Sequence, residues 1–551
     1  MLLLVVLIAS ACADSPHREP VTFSYTGDVG LGNSVFVVGN HADVGAGDVT
    51  HAIKLRYISG NVWTAQIAIQ AGTQLQYRYV RRSTAPGSWC DPSNATDLSS
   101  TQTLSVPAQP AAPYRGKTIY YLSSWPSVNL FYRNGTSWVT ASMSKLSSGR
   151  ANGESFFKVT GIGNPGEDLE FVFNDGAGHF DNPPGGGNYL TADDDFYVQD
   201  GNVFPYQPPA AVSTPQIVTA HIDSTAQNIA GRDIHIYTPR GYVQNTTKRY
   251  PVVYFHDGQN VFDPGGMFGS WSADATATRE IGQGRVRETI LVAIDNDGAN
   301  RIPEYQPPND SYLGTQGRAD AYASFVINNV RPYVDTHYRT LNDPANTLTI
   351  GSSLGGLVAL YLGREFTTFG KVGAFSAAWW ISPNYVAQVN AGTKKPLRVY
   401  LDFGTSEPVD DWNNALAMYD THLAHSYTAS GDVTFAAGCG QSHNETAWAA
   451  RLPAALRYLL PAREEPAQVA QRDYPPRFDV TSVDRVNRRA SFTYSAMYGF
   501  VYVLDRSLDL KTWTPAITLS TEQLPWATRM AEDSALPADD HAFWRLRATT
   551  P

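Results

Sequence analysis

The chain has 551 residues, too many for a single core, and at about 150 residues per domain it holds roughly three or four domains. A hydrophobic share of 42% excludes wholesale disorder, and 12 Trp with 30 Tyr leave rings for exposed binding platforms as well as for cores. A net charge of −10 with no basic run excludes a nucleic-acid partner.

Residues 1–14 form an apolar run ending in small residues, too short to span a bilayer, and no later run is long enough to do so. Residues 1–19 therefore read as an export signal, which places the mature chain outside the cytoplasm or at the cell surface. Ala9, Ser10 and Ala11 before Cys12 resemble a bacterial lipoprotein signal, with Ala where that pattern has Leu. Cys12 is thus a candidate lipid-anchor residue, and simple cleavage after Ala11 or Ala13 is the alternative.

Residues 20–110 alternate short apolar runs with turns, as at 35–39, 63–69 and 75–80, which predicts an antiparallel β-sandwich. A Pro/Ala linker follows at 107–113. Residues 117–205 repeat the β pattern, at 128–132 and 169–173, and a second Pro-rich linker runs from 205 to 215. Residues 216–463 change character: buried-type strands at 252–255, 290–294, 348–350 and 399–403 alternate with helical stretches such as 319–334. That is an α/β pattern with a mostly parallel sheet. Residues 475–551 return to short strands and predict a small C-terminal β domain. The three cysteines give no disulfide framework, and Cys90 and Cys439 fall in different predicted domains, so both are expected as packed thiols.

The chemistry concentrates at Gly351-Ser352-Ser353-Leu354-Gly355, a G-x-S-x-G pattern between an apolar strand and a helical stretch. That setting is the nucleophile elbow of an α/β-hydrolase: a tight turn lifts the serine above a helix N-terminus that favours developing negative charge. Such a fold orders its triad as Ser, acid, His. Glu407 follows the strand at 399–403 and is the leading acid, with Asp402, Asp410 and Asp411 as competitors. His443 precedes the helical stretch 448–460 and is the expected base, since a neutral imidazole takes a serine proton near pH 7. Of the other histidines in this segment, only His256 sits in an equally suggestive loop; His256 and Asp257 are alternatively braces of that loop. The oxyanion hole needs two N–H donors. Leu354 is one, and Gln259 or Gly258, in the turn after the strand at 252–255, is the other. Trp271, Trp379, Trp380 and Trp412 are candidates for an acyl pocket or for core. No His/Cys/Asp spacing of metal-site type stands out, and the chemistry calls for no cofactor.

The segments 254–263, 331–335, 338–340 and 351–356 resemble the esterase family that includes enterochelin esterases, feruloyl and acetylxylan esterases and mycolyltransferases. The likeness covers about residues 216–463. It implies Ser353 as nucleophile and His443 as base, and the family usually has Asp where Glu407 stands. Residues 20–107 resemble starch-binding domains of carbohydrate-binding family 20, which stack sugar faces on exposed tryptophans. The resemblance implies Trp89 and Asn94 as binding residues, with Gly47 in place of a second stacking Trp. Residues 117–205 resemble family 25 of the same kind, which implies Phe180, at a Trp position of that family, and Tyr189. Taken together these readings predict a secreted serine esterase acting on acyl groups of a carbohydrate or a carbohydrate-associated ester, with a polysaccharide or oligosaccharide such as an α-glucan as partner. The alternatives are a siderophore esterase or acyltransferase on the same triad, and a carbohydrate-binding surface protein with a vestigial hydrolase domain.

Overall fold

The computed structural model describes residues 9–10, 18–107, 116–149, 153–164, 168–204 without 185 and 194, 208, 212–462 without 247 and 313, and 478–549 without 485, 498–500, 509–511, 520–525 and 536–541. Cys12, most of the 1–19 segment and most of both linkers lie outside the described residues. Among those described, no helix is long and apolar enough to cross a membrane.

The central unit is an eight-stranded sheet. Its strands are β1 (Gln216–Ile222), β2 (Arg232–Thr238), β3 (Val252–His256), β4 (Ile290–Ile294), β5 (Thr347–Ser352), β6 (Lys371–Phe375), β7 (Arg398–Gly404) and β8 (Val433–Gly438). They lie in the order β1-β2-β4-β3-β5-β6-β7-β8. The pairs from β4 through β8 are parallel, and β1 and β2 join antiparallel. Strands β3 to β6 are buried at every position. Helices cover both faces of such a sheet, so its strands read as continuous apolar runs rather than alternating ones. Its helices include α1 (Ala273–Gly282), α2 (Leu354–Glu365), α3 (Pro383–Ala391), α4 (Val409–Ala424) and α5 (Glu445–Leu459). The stretch expected to be helical at 319–334 is helical from 319 to 337, with a π turn at Val326–Val330. Pro332 has no N–H to donate, and the ladder widens just ahead of it.

Two β-sandwiches precede this unit. In the first, Arg18–Thr26, Val62–Gln70 and Arg56–Tyr57 form one sheet, and Asn33–Gly39 and Gln74–Ser83 are the middle of the other. In the second, Lys117–Ser123 and Ser155–Ile162 face the sheet of Asn129–Asn134, Ser137–Ser142 and Leu169–Asn174. The C-terminal segment is again β, with Arg489–Met497 and Val501–Ser507 central to two small sheets.

The first sandwich does not hang from a tether. Phe36, Val38, Val80 and Trp89 belong to the same apolar core as Trp412, Tyr419 and Val433 of the central unit. Cys90 and Cys439 are bonded, which corrects the expectation of two separate thiols. The expectation failed because it treated predicted domains as separate bodies, whereas folding brings their Cα atoms to 5.9 Å. Trp89 is 7% exposed, with Phe36, Trp412 and Phe435 edge-on to it at ring distances of 5.4, 5.4 and 5.8 Å. A sugar therefore has no open face of Trp89 to stack on, and the sequence-based role of this residue is corrected to packing. Truncating a fully enclosed aromatic leaves a cavity, so Trp412→Ala is expected to cost about 3–5 kcal/mol, read as a fall in the urea midpoint of the central unit.

Candidate active site

Three features of the sequence lie along the C-terminal edge of the sheet: the elbow after β5, Glu407 after β7 and His443 after β8. Ser353 leaves β5 with φ +56° and ψ −121°, a conformation that non-glycine residues rarely adopt, and α2 begins at the next residue. Glycines make the turn sterically feasible. A Cβ on Gly351 would lie 2.4 Å from the Gly355 carbonyl carbon, and one on Gly356 would lie 2.9 Å from the Ala377 Cβ. The backbone is pinned on both sides: the Ser353 N–H donates to Phe375 O (2.9 Å), and the Ala378 N–H donates to Ser353 O (3.0 Å). Leu354 is the first residue of α2, so its N–H has no acceptor within the helix and points from the positive end of the dipole.

Glu407 lies in the loop after β7, with its side chain fully buried. Its Oε2 is 2.6 Å from His443 Nδ1. Its Oε1 accepts from Ser376 Oγ (2.6 Å) and from the Gly404 N–H (2.8 Å). His443 is carried on the loop after β8, and its side chain is 42% exposed. Trp448 packs edge-on against the imidazole at 5.0 Å. With Nδ1 engaged by the carboxylate, Nε2 is the nitrogen left for a serine hydroxyl.

The competing acids are placed differently. Asp402 is buried on β7 and ion-paired to Arg451 Nε at 3.0 Å. Burial pushes its carboxyl up while the guanidinium pulls it back. Asp410 and Asp411 lie in the first turn of α4, and burial raises the Asp411 carboxyl while the nearby His443 lowers it. His256 is fully enclosed between Tyr322 Oη and Thr349 Oγ1, each 2.8 Å away. Burial pushes its pKa down to about 4, so it is a neutral brace for the loop after β3 rather than a base. Asp257 in that loop has φ +61° and makes a two-point ion pair with Arg301 at 2.6 and 2.7 Å. Gln259 accepts from the Asn296 N–H (3.1 Å) through its side chain, and Gly258 sits where a Cβ would meet the Ile294 carbonyl carbon at 2.6 Å. Both lie in the turn Gly258–Asn260, beside the elbow: a Cβ on Gly355 would lie 3.0 Å from Asp257 Oδ2.

Sequence reasoning missed Ser376, Arg451 and Trp448. Ser376 is wholly buried with φ +41°. Besides donating to Glu407, its hydroxyl accepts from Arg451 Nη2 (2.9 Å) and Trp448 Nε1 (3.2 Å). No motif surrounds it; the signal was Ser376 ending an apolar strand beside the elbow strand, at the same edge. Of the four tryptophans considered for a pocket, Trp271, Trp379 and Trp412 are core and Trp380 is exposed.

The carbohydrate candidates also separate. The Asn94 side chain donates to Ser88 O (3.2 Å), and Tyr189 is buried with its hydroxyl on Asp181 (3.1 Å), which corrects Tyr189 from a binding ring to a core ring. Phe180 is 56% exposed and lines a recess of about 250 Å³ with Phe131, Thr140 and Asn174. Trp138 stacks on Phe131 at 4.9 Å. Among the described residues no group of three or more His, Cys, Asp or Glu is placed to hold a metal ion.

Residues 228–459 match the family described as "Putative esterase", and residues 18–105 match the family described as "Starch binding domain". A curated relative, the uncharacterized protein YbbA of Bacillus subtilis (strain 168), is 26% identical over 193 residues, which is 33% of this chain and 72% of the relative. Similar solved structures include a ferulic acid esterase of Anaeromyces mucronatus (21% identity, 46% of this chain and 93% of the other, TM-score 0.35). Another is an enterochelin esterase of Shigella flexneri (15% identity, 81% of this chain and 93% of the other, TM-score 0.36).

Two outcomes follow from the geometry. Ser376→Ala is expected to lower kcat on a short acyl ester by about tenfold with KM nearly unchanged, and to add little in a Glu407→Gln background, because coupled residues fail additivity. Equal losses in both backgrounds would make Ser376 a packing residue only. The second concerns pH. The folded-state pKa of His256, and likewise that of buried His422, is about 4 against 6.5 unfolded, so the unfolded chain binds more protons between those values. The stabilisation from keeping these rings neutral is therefore complete above pH 6.5 and lost as the pH falls toward 4, on the order of 3 kcal/mol per ring. Urea midpoints measured across pH 4–7 should fall in that window, and less steeply in His422→Gln.

Proposed function

We propose, for a chain whose residues 228–459 belong to the esterase family and whose residues 18–105 are a starch-binding domain, a secreted serine esterase that removes acyl groups from a carbohydrate or a carbohydrate-associated ester. The protein is a carboxylic ester hydrolase; the triad Ser353, His443 and Glu407 is our reading of how it works. The observation that carries it is the 2.6 Å contact between His443 Nδ1 and the buried Glu407, at the sheet edge where the Ser353 elbow ends β5. In this mechanism Ser353 Oγ attacks the ester carbonyl as its proton passes to His443 Nε2. The developing oxyanion is held by the Leu354 N–H and by an N–H of Gly258 or Gln259. Glu407 stabilises the imidazolium, which then gives its proton to the departing alcohol. Water, deprotonated by His443, resolves the acyl-enzyme and restores the serine. Each step uses groups of this chain and needs no cofactor.

The starch-binding domain supports a polysaccharide or oligosaccharide partner such as an α-glucan. With Trp89 enclosed, the stacking surfaces we assign are the exposed Tyr57, set edge-on to Trp63 at 5.0 Å, and the Phe131, Trp138 and Phe180 recess of the second sandwich. Export is supported by the Cys90–Cys439 bridge, because such bonds persist in oxidising compartments, and by the apolar segment at 1–14.

The test is hydrolysis of 4-nitrophenyl acetate, butyrate and octanoate, methyl ferulate, and acetylated xylan and starch, beside retention on insoluble starch. Ser353→Ala should lower turnover at least about a thousandfold and leave starch retention intact. Phe180→Ala should weaken retention and leave turnover of 4-nitrophenyl acetate unchanged. An active Ser353→Ala protein sinks the triad, and no turnover on any ester favours a binding role for the whole chain.

A further inference from the structure

Cys439 stands four residues before His443, on the loop 438–444 that carries the histidine away from β8. Its partner Cys90 belongs to the starch-binding domain, immediately after Trp89. The bond joins positions 349 residues apart. Around it the same domain grips the neighbouring elements. The Trp412 indole N–H donates to Thr84 O (2.9 Å), and Lys54 pairs with Asp420 at 2.6 Å, both on α4. The Ala429 N–H donates to Gln66 O (2.8 Å), and the Ala68 N–H donates to Ala429 O (3.2 Å), just before β8. α4 follows Glu407, and β8 precedes His443. The domain therefore seats on the two elements that bring the acid and the base together, at the open edge of the sheet. On its inner flank the 438–444 loop is fastened to the Glu407 loop: the Thr405 N–H donates to Gly438 O (2.9 Å), the Ser406 N–H to Gln441 O (3.0 Å), and the Gly440 N–H to Thr405 Oγ1 (2.8 Å). On its outer flank the bridge is the covalent hold.

We infer that the starch-binding domain is a structural jaw for the His443 loop, and that reducing the Cys90–Cys439 bond loosens this loop and slows ester hydrolysis while the central sheet stays folded. The catalytic half rests on the Ser353, His443 and Glu407 reading; the loop-mobility half does not. Cys439 is exposed, so a dithiol reaches it. A thiolate of dithiothreitol attacks one Sγ, and a mixed disulfide forms. The second thiol then closes on it. Two electrons and two protons pass to the protein, leaving Cys90 and Cys439 as thiols, and the reagent departs as its cyclic disulfide.

Displacing a catalytic group by about 1 Å costs on the order of a hundredfold, and the surviving hydrogen bonds to 404–407 limit the drift, so the expected loss in kcat is about tenfold with KM nearly unchanged. The experiment uses the full chain, before and after dithiothreitol, with thiol counts, amide exchange by peptide, and turnover of 4-nitrophenyl acetate. Reduction should add two thiols, speed exchange across 438–444 by about tenfold or more, and leave 347–358 protected, since loops open locally without the core. The Cys90→Ser/Cys439→Ser protein should match the reduced enzyme and ignore the reductant. Unchanged exchange in 438–444 after two thiols appear overturns the inference, as does kcat within about twofold of the oxidised enzyme, since the predicted drift would cost more. No gain of thiols on reduction overturns it too. If the oxidised chain hydrolyses no ester, the triad reading has failed, and the exchange data alone decide whether the domain holds the loop.

Discussion

A carboxylate buried beyond the reach of water must be surrounded by donors, and the site is arranged around meeting that demand for Glu407. Its two oxygens receive a serine hydroxyl, a backbone N–H and an imidazole. Ser376 has a backbone φ of +41°, and its hydroxyl can donate to Glu407 because Arg451 and Trp448 donate to it in turn. Arg451 lies 3.0 Å from Asp402 and 3.9 Å from Glu407, so one guanidinium serves two enclosed carboxylates. The negative charge left over has one outlet, the imidazole at 2.6 Å. In the mechanism we propose, the imidazolium formed on His443 meets a carboxylate already in place, which costs no reorganisation at that moment.

The same economy explains the elbow. A strand, a left-handed serine and a helix can succeed one another only if nothing bulky stands between them, and Gly351, Gly355 and Gly356 each occupy a place where a side chain would collide or crowd. The loop after β3 closes over this point. His256, the last residue of β3, is spent as a neutral brace, and Asp257 in the loop is spent on Arg301.

The first sandwich shows how a binding fold is absorbed into a catalytic unit. The ring expected to meet sugar, Trp89, instead closes a core shared with α4 and β8. Burial of a large aromatic is worth more to the assembly than an exposed stacking face, and a covalent bond reinforces the contact. Rings left on the surface, Tyr57 in this domain and Phe180 with Trp138 in the next, then carry the exposed aromatic area.

By itself, the sequence determined what local pattern and chain order can determine. The Gly-x-Ser-x-Gly run named the elbow because glycine spacing encodes steric permission. Apolar runs between helical stretches marked the α/β segment, since buried strands need no alternation. The expectation of an acid at Glu407, after one strand, and a base at His443, before the last helix, came from the order a triad requires. What only the tertiary structure decided depends on contacts between distant residues. Ser376, 31 positions from Glu407 and 75 from Arg451, belongs to no motif. The Cys90–Cys439 bond and the burial of Trp89 arise where two domains touch, and nothing in either local sequence states which faces will meet. His256 and His443 look alike as letters; enclosure between Tyr322 and Thr349 makes the first a neutral brace, whereas the second lies partly open to solvent with a carboxylate at 2.6 Å.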